Sequence, residues 1–157
     1  MGQEVYTVTQ ALEKVMKYCA YQERSQFEVR QKLHTFQLTS EQEEEVIYEL
    51  ITQNFLNEER FAKAFSRGKF RIKHWGKKKI AAALSQKQIH PNCIQLGLDE
   101  INEQEYQEVL EALAHKTWNK NKKLPTFQRM GKTSQYLMSR GFKSHQVYDV
   151  VNSFKND

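Results

Sequence analysis

The chain of 157 residues contains two prolines, two cysteines and six glycines, and each shortage excludes something. With Pro91 and Pro125 as the only prolines and no β-branched runs of period two, little interrupts or competes with helix. Cys19 and Cys93 stand far apart on apolar helical positions, so they form neither a disulfide framework nor a metal-ligand spacing. No run of 18 apolar residues occurs, and no transmembrane helix is expected. The opening residues Met1 to Val5 lack the basic-then-apolar layout of a signal peptide. Gly2 is followed by Gln-Glu-Val-Tyr-Thr with nothing basic, so myristoylation is not expected. A reducing, cytoplasmic home is the resulting expectation. Chemistry is missing too: no H-E-x-x-H, C-x-x-C, phosphate loop or nucleophile elbow appears. The five histidines (34, 74, 90, 115, 145) fall in five separate segments. No catalytic, cofactor-binding or metal-ligating residue is assigned, and no cofactor is expected.

What is present is helical periodicity with helix punctuation. A lead over residues 1–8 is expected to be flexible. Thr9 is placed to cap a helix whose apolar positions are Ala11, Leu12, Val15, Met16, Cys19 and Ala20. Ser25 with Glu28, and Ser40 with Glu43, have capping-box spacing, in which a hydroxyl and a carboxylate satisfy orphan amides reciprocally. Asn57 caps a helix with Glu58 and Glu59 in its first turn, Asn102 with Glu105 has capping-box spacing, Pro91 suits a first helical turn, and Gly76 separates two helices. Pro125-Thr126 begins another helix, Gly141 ends it in the left-handed conformation, and Ser144 caps the last one.

The thirds of the chain align. Leu33, Leu84 and Leu137 are each followed five residues later by an apolar residue (Leu38, Ile89, Phe142) and seven residues later by a helix opener (Ser40, Pro91, Ser144). A period of about fifty with three helices per unit predicts an all-α fold, an elongated array of three tandem three-helix repeats. The expected units are 9–54, 55–101 and 102–157. A plain nine-helix globule is the alternative.

Charge divides along the same lines. Between Glu23 and Glu49 seven Glu face Arg24, Arg30 and Lys32. From Arg60 to Leu98 there are ten Lys or Arg and no acid, and from Lys116 to Lys143 eight more, again with no acid. Lone lysines on helix faces are ordinarily just solvated, but acid-free stretches of this length point to a polyanionic partner, either nucleic acid or an acidic protein groove. Lys120-Asn121-Lys122-Lys123 has the look of an exposed basic loop. If about five cations replaced counterions on DNA, affinity would fall with salt at a log–log slope near −4. Aromatic rings among cations can stack on bases, yet a ring at a helix junction more often packs in the core. Core is the expectation for Phe70, Trp75, Trp118 and Phe127, with Trp75 kept as a candidate wedge or stacking ring.

With the repeats in view, the chain resembles the RecX family, bacterial regulators of the RecA recombinase. The resemblance rests on Arg24-Ser25-x-x-Glu28-Val29-Arg30-x-Lys32-Leu33, on Phe55-Leu56-Asn57-Glu58-Glu59-Arg60-Phe61-Ala62, and on Gly76-x-x-x-Ile80-x-x-x-Leu84 with Ile89 following. Leu137-x-x-x-Gly141-Phe142 is a weaker third match. The family usually shows Asp where Glu59 precedes Arg60, a conservative change in a helix's first turn. The resemblance implies tandem three-helix repeats and binding along the groove of the RecA–DNA filament. It also implies inhibition of strand exchange, ATP hydrolysis and co-protease activity, in DNA repair and the SOS response, without enzymatic activity.

These observations lead to a RecX-like modulator that meets the RecA filament, and single- or double-stranded DNA, by charge and shape, as a monomer and away from membranes. The residues expected at the RecA or DNA contact are Arg67, Lys69, Arg71, Lys73, Lys77, Lys78 and Lys79, with Trp75. The alternative is a helical DNA-binding protein, sequence-specific or not, that acts independently of RecA. An enzyme would need a convergent acid–base or metal set, and none is legible.

Overall fold

The computed structural model describes residues 5–155, which form nine helices and no strand. They are α1 (Val8–Tyr21), α2 (Gln26–His34), α3 (Ser40–Thr52), α4 (Glu58–Lys73), α5 (Lys77–Gln86), α6 (Pro91–Leu98), α7 (Glu103–Lys120), α8 (Thr126–Ser139) and α9 (Ser144–Ser153). Helices pack chiefly within consecutive triplets, α1–α3, α4–α6 and α7–α9. The fold is an all-helical repeat array rather than a single nine-helix globule.

The repeat register is visible residue by residue. Leu33, Leu84 and Leu137 are completely buried at equivalent places in the three triplets. Four residues beyond each, the backbone turns left-handed, at Gln37 (φ 57°), Gln88 (φ 62°) and Gly141 (φ 101°). In the second and third triplets the next amide, on Ile89 or Phe142, returns to the carbonyl of Leu84 or Leu137, closing the helix end in a Schellman turn. Ser40, Pro91 and Ser144 then each occupy the first helical position.

Several caps differ from expectation. Thr7, not Thr9, caps α1, and Gln10 answers it in a full capping box. The part of the expected flexible lead that covers residues 1–4 lies outside the described residues. Thr39 and Gln42 form the box at α3, so Ser40 sits one position inside it. The displaced Glu43 is turned inward, where it is nearly buried and meets His34 Nδ1 at 2.9 Å. Lys143 holds the cap position of α9, and Ser144 follows it. Ser25, Asn57 and Asn102 accept the amides of Glu28, Arg60 and Glu105, but the expected reciprocal half of the box at Ser25 is not made, because the Glu28 carboxylate is turned to Lys87.

Two apolar cores result. One lies within the first triplet and contains Ala11, Val15, Val29, Leu33, Val46 and Leu50. The other runs without interruption through the second and third triplets, from Phe61 and Phe70 through Ile80, Leu84 and Tyr106 to Phe142 and Phe154. The joint between those two triplets is made by backbone at contact distance. Gly76 N–H donates to the Arg140 carbonyl at 2.7 Å and Lys78 N–H to the Gly141 carbonyl at 3.0 Å. A β-carbon on Gly76 would lie 2.3 Å from the Gly141 carbonyl carbon, so only glycine fits. The joint between the first and second triplets is polar instead. Arg60 meets Glu23 at 2.6 Å and Lys87 meets Glu28 at 2.9 Å.

Candidate interaction surface at the junction of α4 and α5

Helix α4 opens on Asn57 with Glu58 and Glu59 in its first turn and closes with Arg71 and Lys73 in its last, an arrangement that matches the helix dipole at both ends. His74 adopts the left-handed conformation (φ 56°) and the Trp75 amide returns to the Lys69 carbonyl at 3.1 Å. The chain thus turns from α4 into α5 within three residues, and α5 starts at Lys77 with Gly76 as its cap. All eight expected contact residues lie on or beside this turn, but they do three different things.

Arg67 and Lys77 are used internally. Arg67 Nη1 lies 2.7 Å from Glu100 Oε1, just beyond α6. The Lys77 ammonium is paired with Glu103 and sits 5.0 Å from the centre of the Tyr106 ring. The backbone N–H of Lys77 donates to the Tyr106 hydroxyl at 2.9 Å. Burial pushes that phenol above its ordinary range, against the lowering effect of the Lys77 hydrogen bond. Lys69 and Lys79 flank Trp75, their ammonium groups 4.9 and 4.6 Å from the indole centre. Trp75 is half-buried, with the rest of its ring packed on the shared core. Phe70 is core, as expected, and so is Trp118, whereas Phe127 is 88% exposed. Arg71, Lys73 and Lys78 form the third group. They are exposed, and their side chains have no ion-pair or hydrogen-bond partner among the described residues.

The internal partners Glu100, Glu103 and Tyr106 are absent from the sequence-based set. The signal for them was present, since the acid-free stretch ends at Asp99 and is followed at once by an acidic helix start. What the linear pattern does not give is that α6 and α7 bring those acids back against α4 and α5. Among the described residues no group of three His, Cys, Asp or Glu is placed to hold a metal ion. Nor is any helix there long and apolar enough to cross a membrane.

Fold and surface together define a tandem three-helix repeat protein with an acid-poor, cation-rich turn. Two family models match it: "RecX, second three-helix domain" over residues 57–98 and "RecX, third three-helix domain" over residues 103–151. Together they span more than half of the chain and coincide with the triplets α4–α6 and α7–α9. The chain belongs to the RecX family of regulatory proteins. It is 29% identical to the regulatory protein RecX of Lactobacillus johnsonii over 142 residues, which is 90% of this chain and 52% of that one. It is 26% identical to RecX of Staphylococcus aureus over 141 residues, with 90% and 52% covered. The chain therefore spans about half the length of the curated relatives it matches. The crystal structure of RecX from Lactobacillus salivarius shares the fold, with a TM-score of 0.85 at 23% identity, over 96% of this chain and 97% of that one.

Proposed function

We propose that this chain binds the RecA–DNA filament and restrains RecA's recombinase, ATPase and co-protease activities, acting by occupancy and without catalysis of its own. The observation that carries this reading is the ordered match of its second and third triplets to two RecX domains. The junction of α4 and α5 supports it physically. Three exposed cations without internal partners, Arg71, Lys73 and Lys78, lie in the last turn of α4 and the first of α5, and between those turns Trp75 is held by Lys69 and Lys79. Such a patch is suited to phosphates or to acidic side chains lining a helical groove. Arg67 and Lys77, already paired with carboxylates, are assigned to holding the joint rather than to the partner.

The test is RecA ATPase on single-stranded DNA with substoichiometric amounts of this protein. The wild-type chain is expected to inhibit, and the triple variant Arg71→Ala, Lys73→Ala, Lys78→Ala to need at least about ten times more protein, the equivalent of 1.4 kcal/mol. Equal inhibition by the triple variant overturns the surface assignment. No inhibition by the wild type overturns the function.

A further inference from the structure

The second acid-free stretch, absorbed by nothing above, is gathered by the fold into one place. The C-terminal half of α7, the connection after it and the outer side of α8 enclose an open cleft of about 550 Å³. Lys116, Lys120 and Lys132 line it, and a neighbouring hollow of about 360 Å³ shares Lys120 and Lys132 and adds Lys122 and Lys123. All five lysines are exposed, and none has an ion-pair or hydrogen-bond partner for its ammonium among the described residues. In the second triplet, by contrast, Lys63, Arg67, Lys77 and Lys87 each rest on a carboxylate. The difference has a cause in the sequence. α7 places its four acids in its first nine residues, and the next acid after Glu111 is Asp149. Five ammonium groups on two adjoining hollows repel each other without compensation, a cost that a polyanion removes.

The cleft is framed by fixed contacts. Arg129 is turned inward, lies 3.9 Å above Trp118 and donates to the Trp118 carbonyl at 2.8 Å, tying α8 to α7. The Asn121 amide donates to the Thr117 carbonyl at 2.9 Å, closing the end of α7. Tyr136 lies along the same wall and is 40% exposed. A ring beside amines in a trough, rather than a ridge of side chains, is the arrangement that accepts a single strand, with phosphates on the amines and a base against the ring. Duplex readers instead present a helix that fits into a groove.

We propose that the α7–α8 cleft is a binding site for single-stranded nucleic acid, separate from the α4–α5 junction and independent of RecA. Lys116, Lys120, Lys122, Lys123 and Lys132 take the backbone, and Tyr136 stacks on a base.

The test uses the full chain, without RecA, and the fluorescence anisotropy of a labelled oligothymidylate of about 20 nucleotides, long enough to fill a site of 4–16. The double variant Lys120→Gln, Lys132→Gln is expected to bind at least about ten-fold more weakly and to flatten the salt slope by about 1.4, or about 0.7 per lost phosphate contact. Tyr136→Leu is expected to lose about five-fold or more at an unchanged slope, as the removal of one stacking partner does. Lys14→Gln with Lys17→Gln, exposed on α1 and outside both cation-rich surfaces, removes the same charge and is expected to leave binding within two-fold. The proposal is overturned if the wild type does not bind the oligonucleotide, or if the Lys120 and Lys132 variant binds as tightly as the wild type. It is overturned in favour of an acidic protein partner if polyglutamate of equal charge competes as well as unlabelled strand and Tyr136→Leu has no effect. All substituted side chains are exposed, and unchanged thermal melts confirm that each variant is folded.

Discussion

Gly76 and Gly68 lie eight residues apart, and the same substitution should act on them in opposite directions. A methyl group on Gly68 meets nothing within 4 Å, on a helix where glycine is costly. Gly68→Ala should therefore stabilise the chain by about 0.5–1 kcal/mol. A methyl group on Gly76 runs into the backbone of Gly141, and Gly141 itself combines φ 101° with Lys79 Cβ 2.4 Å from where its own β-carbon would lie. Gly76→Ala should cost about 2–3 kcal/mol, as overpacking against backbone does. Urea titration of the two variants checks both signs. Cys19 gives a prediction in pH. Its burial pushes the thiol from an ordinary value of 9.0 up to about 11. The folded state thus keeps a proton that the unfolded chain gives up. Stability present below pH 9 should fall as pH rises from about 9 to 11, by at most about 2–3 kcal/mol. Cys19→Ala should remove much of that fall in melts at pH 8 and pH 10.5, leaving the parts due to Cys93 and Tyr106, whose thiol and phenol are also raised by burial.

At the scale of the helix, the capping boxes show how a motif slips by one residue. Ser40-x-x-Glu43 and Thr39-x-x-Gln42 both have the required spacing, and the chain uses the second. Tertiary contact decides between them. With Thr39 at the cap, Glu43 faces His34 instead of its own helix start, and Val46, Ile47 and Leu50 reach the first core. Thr39→Ala should then cost about 1 kcal/mol, while Ser40→Ala changes stability by a few tenths at most. Thermal melts of the two variants distinguish the assignments. The same reasoning applies to Thr7 over Thr9. Helix type and number were legible because apolar residues recur at helical spacing between recognisable caps. Which of two adjacent hydroxyls caps was not, because local spacing alone satisfies both.

For the whole molecule, the two joints of the array differ in kind. The second and third triplets share one apolar core and interlocked glycines, so they should unfold together. The first triplet has a core of its own and meets the second through Arg60–Glu23 and Lys87–Glu28. Arg60 also donates to the Asn54 and Phe55 carbonyls, closing the chain between α3 and α4. Both ion pairs are partly exposed and are screened by salt. Raising salt from about 0.05 to 0.5 M, or Arg60→Met, should speed hydrogen exchange in α1–α3 while leaving α4–α9 unchanged. Uniform acceleration across all nine helices would show that the two joints are equivalent. An array stiff over its second and third repeats and more loosely joined to its first can adjust to a curved partner without losing its core.

By itself the sequence determined the helical class, the period of about fifty residues and the clustering of cations, because these depend on spacing and composition along the chain. It also placed Leu33, Leu84 and Leu137 at one repeated position. Tertiary structure decided which cations are free. Arg67 and Lys77 read in sequence like Arg71 and Lys78, yet α6 and α7 return Glu100 and Glu103 to the first two and nothing to the others. It likewise decided that glycine is required at only one of three equivalent left-handed turns. Gln37 and Gln88 occupy that conformation without glycine, and at Gly141 alone the backbone of another triplet lies against it. Both outcomes depend on contacts between residues roughly 25 to 65 positions apart, which a local pattern does not encode.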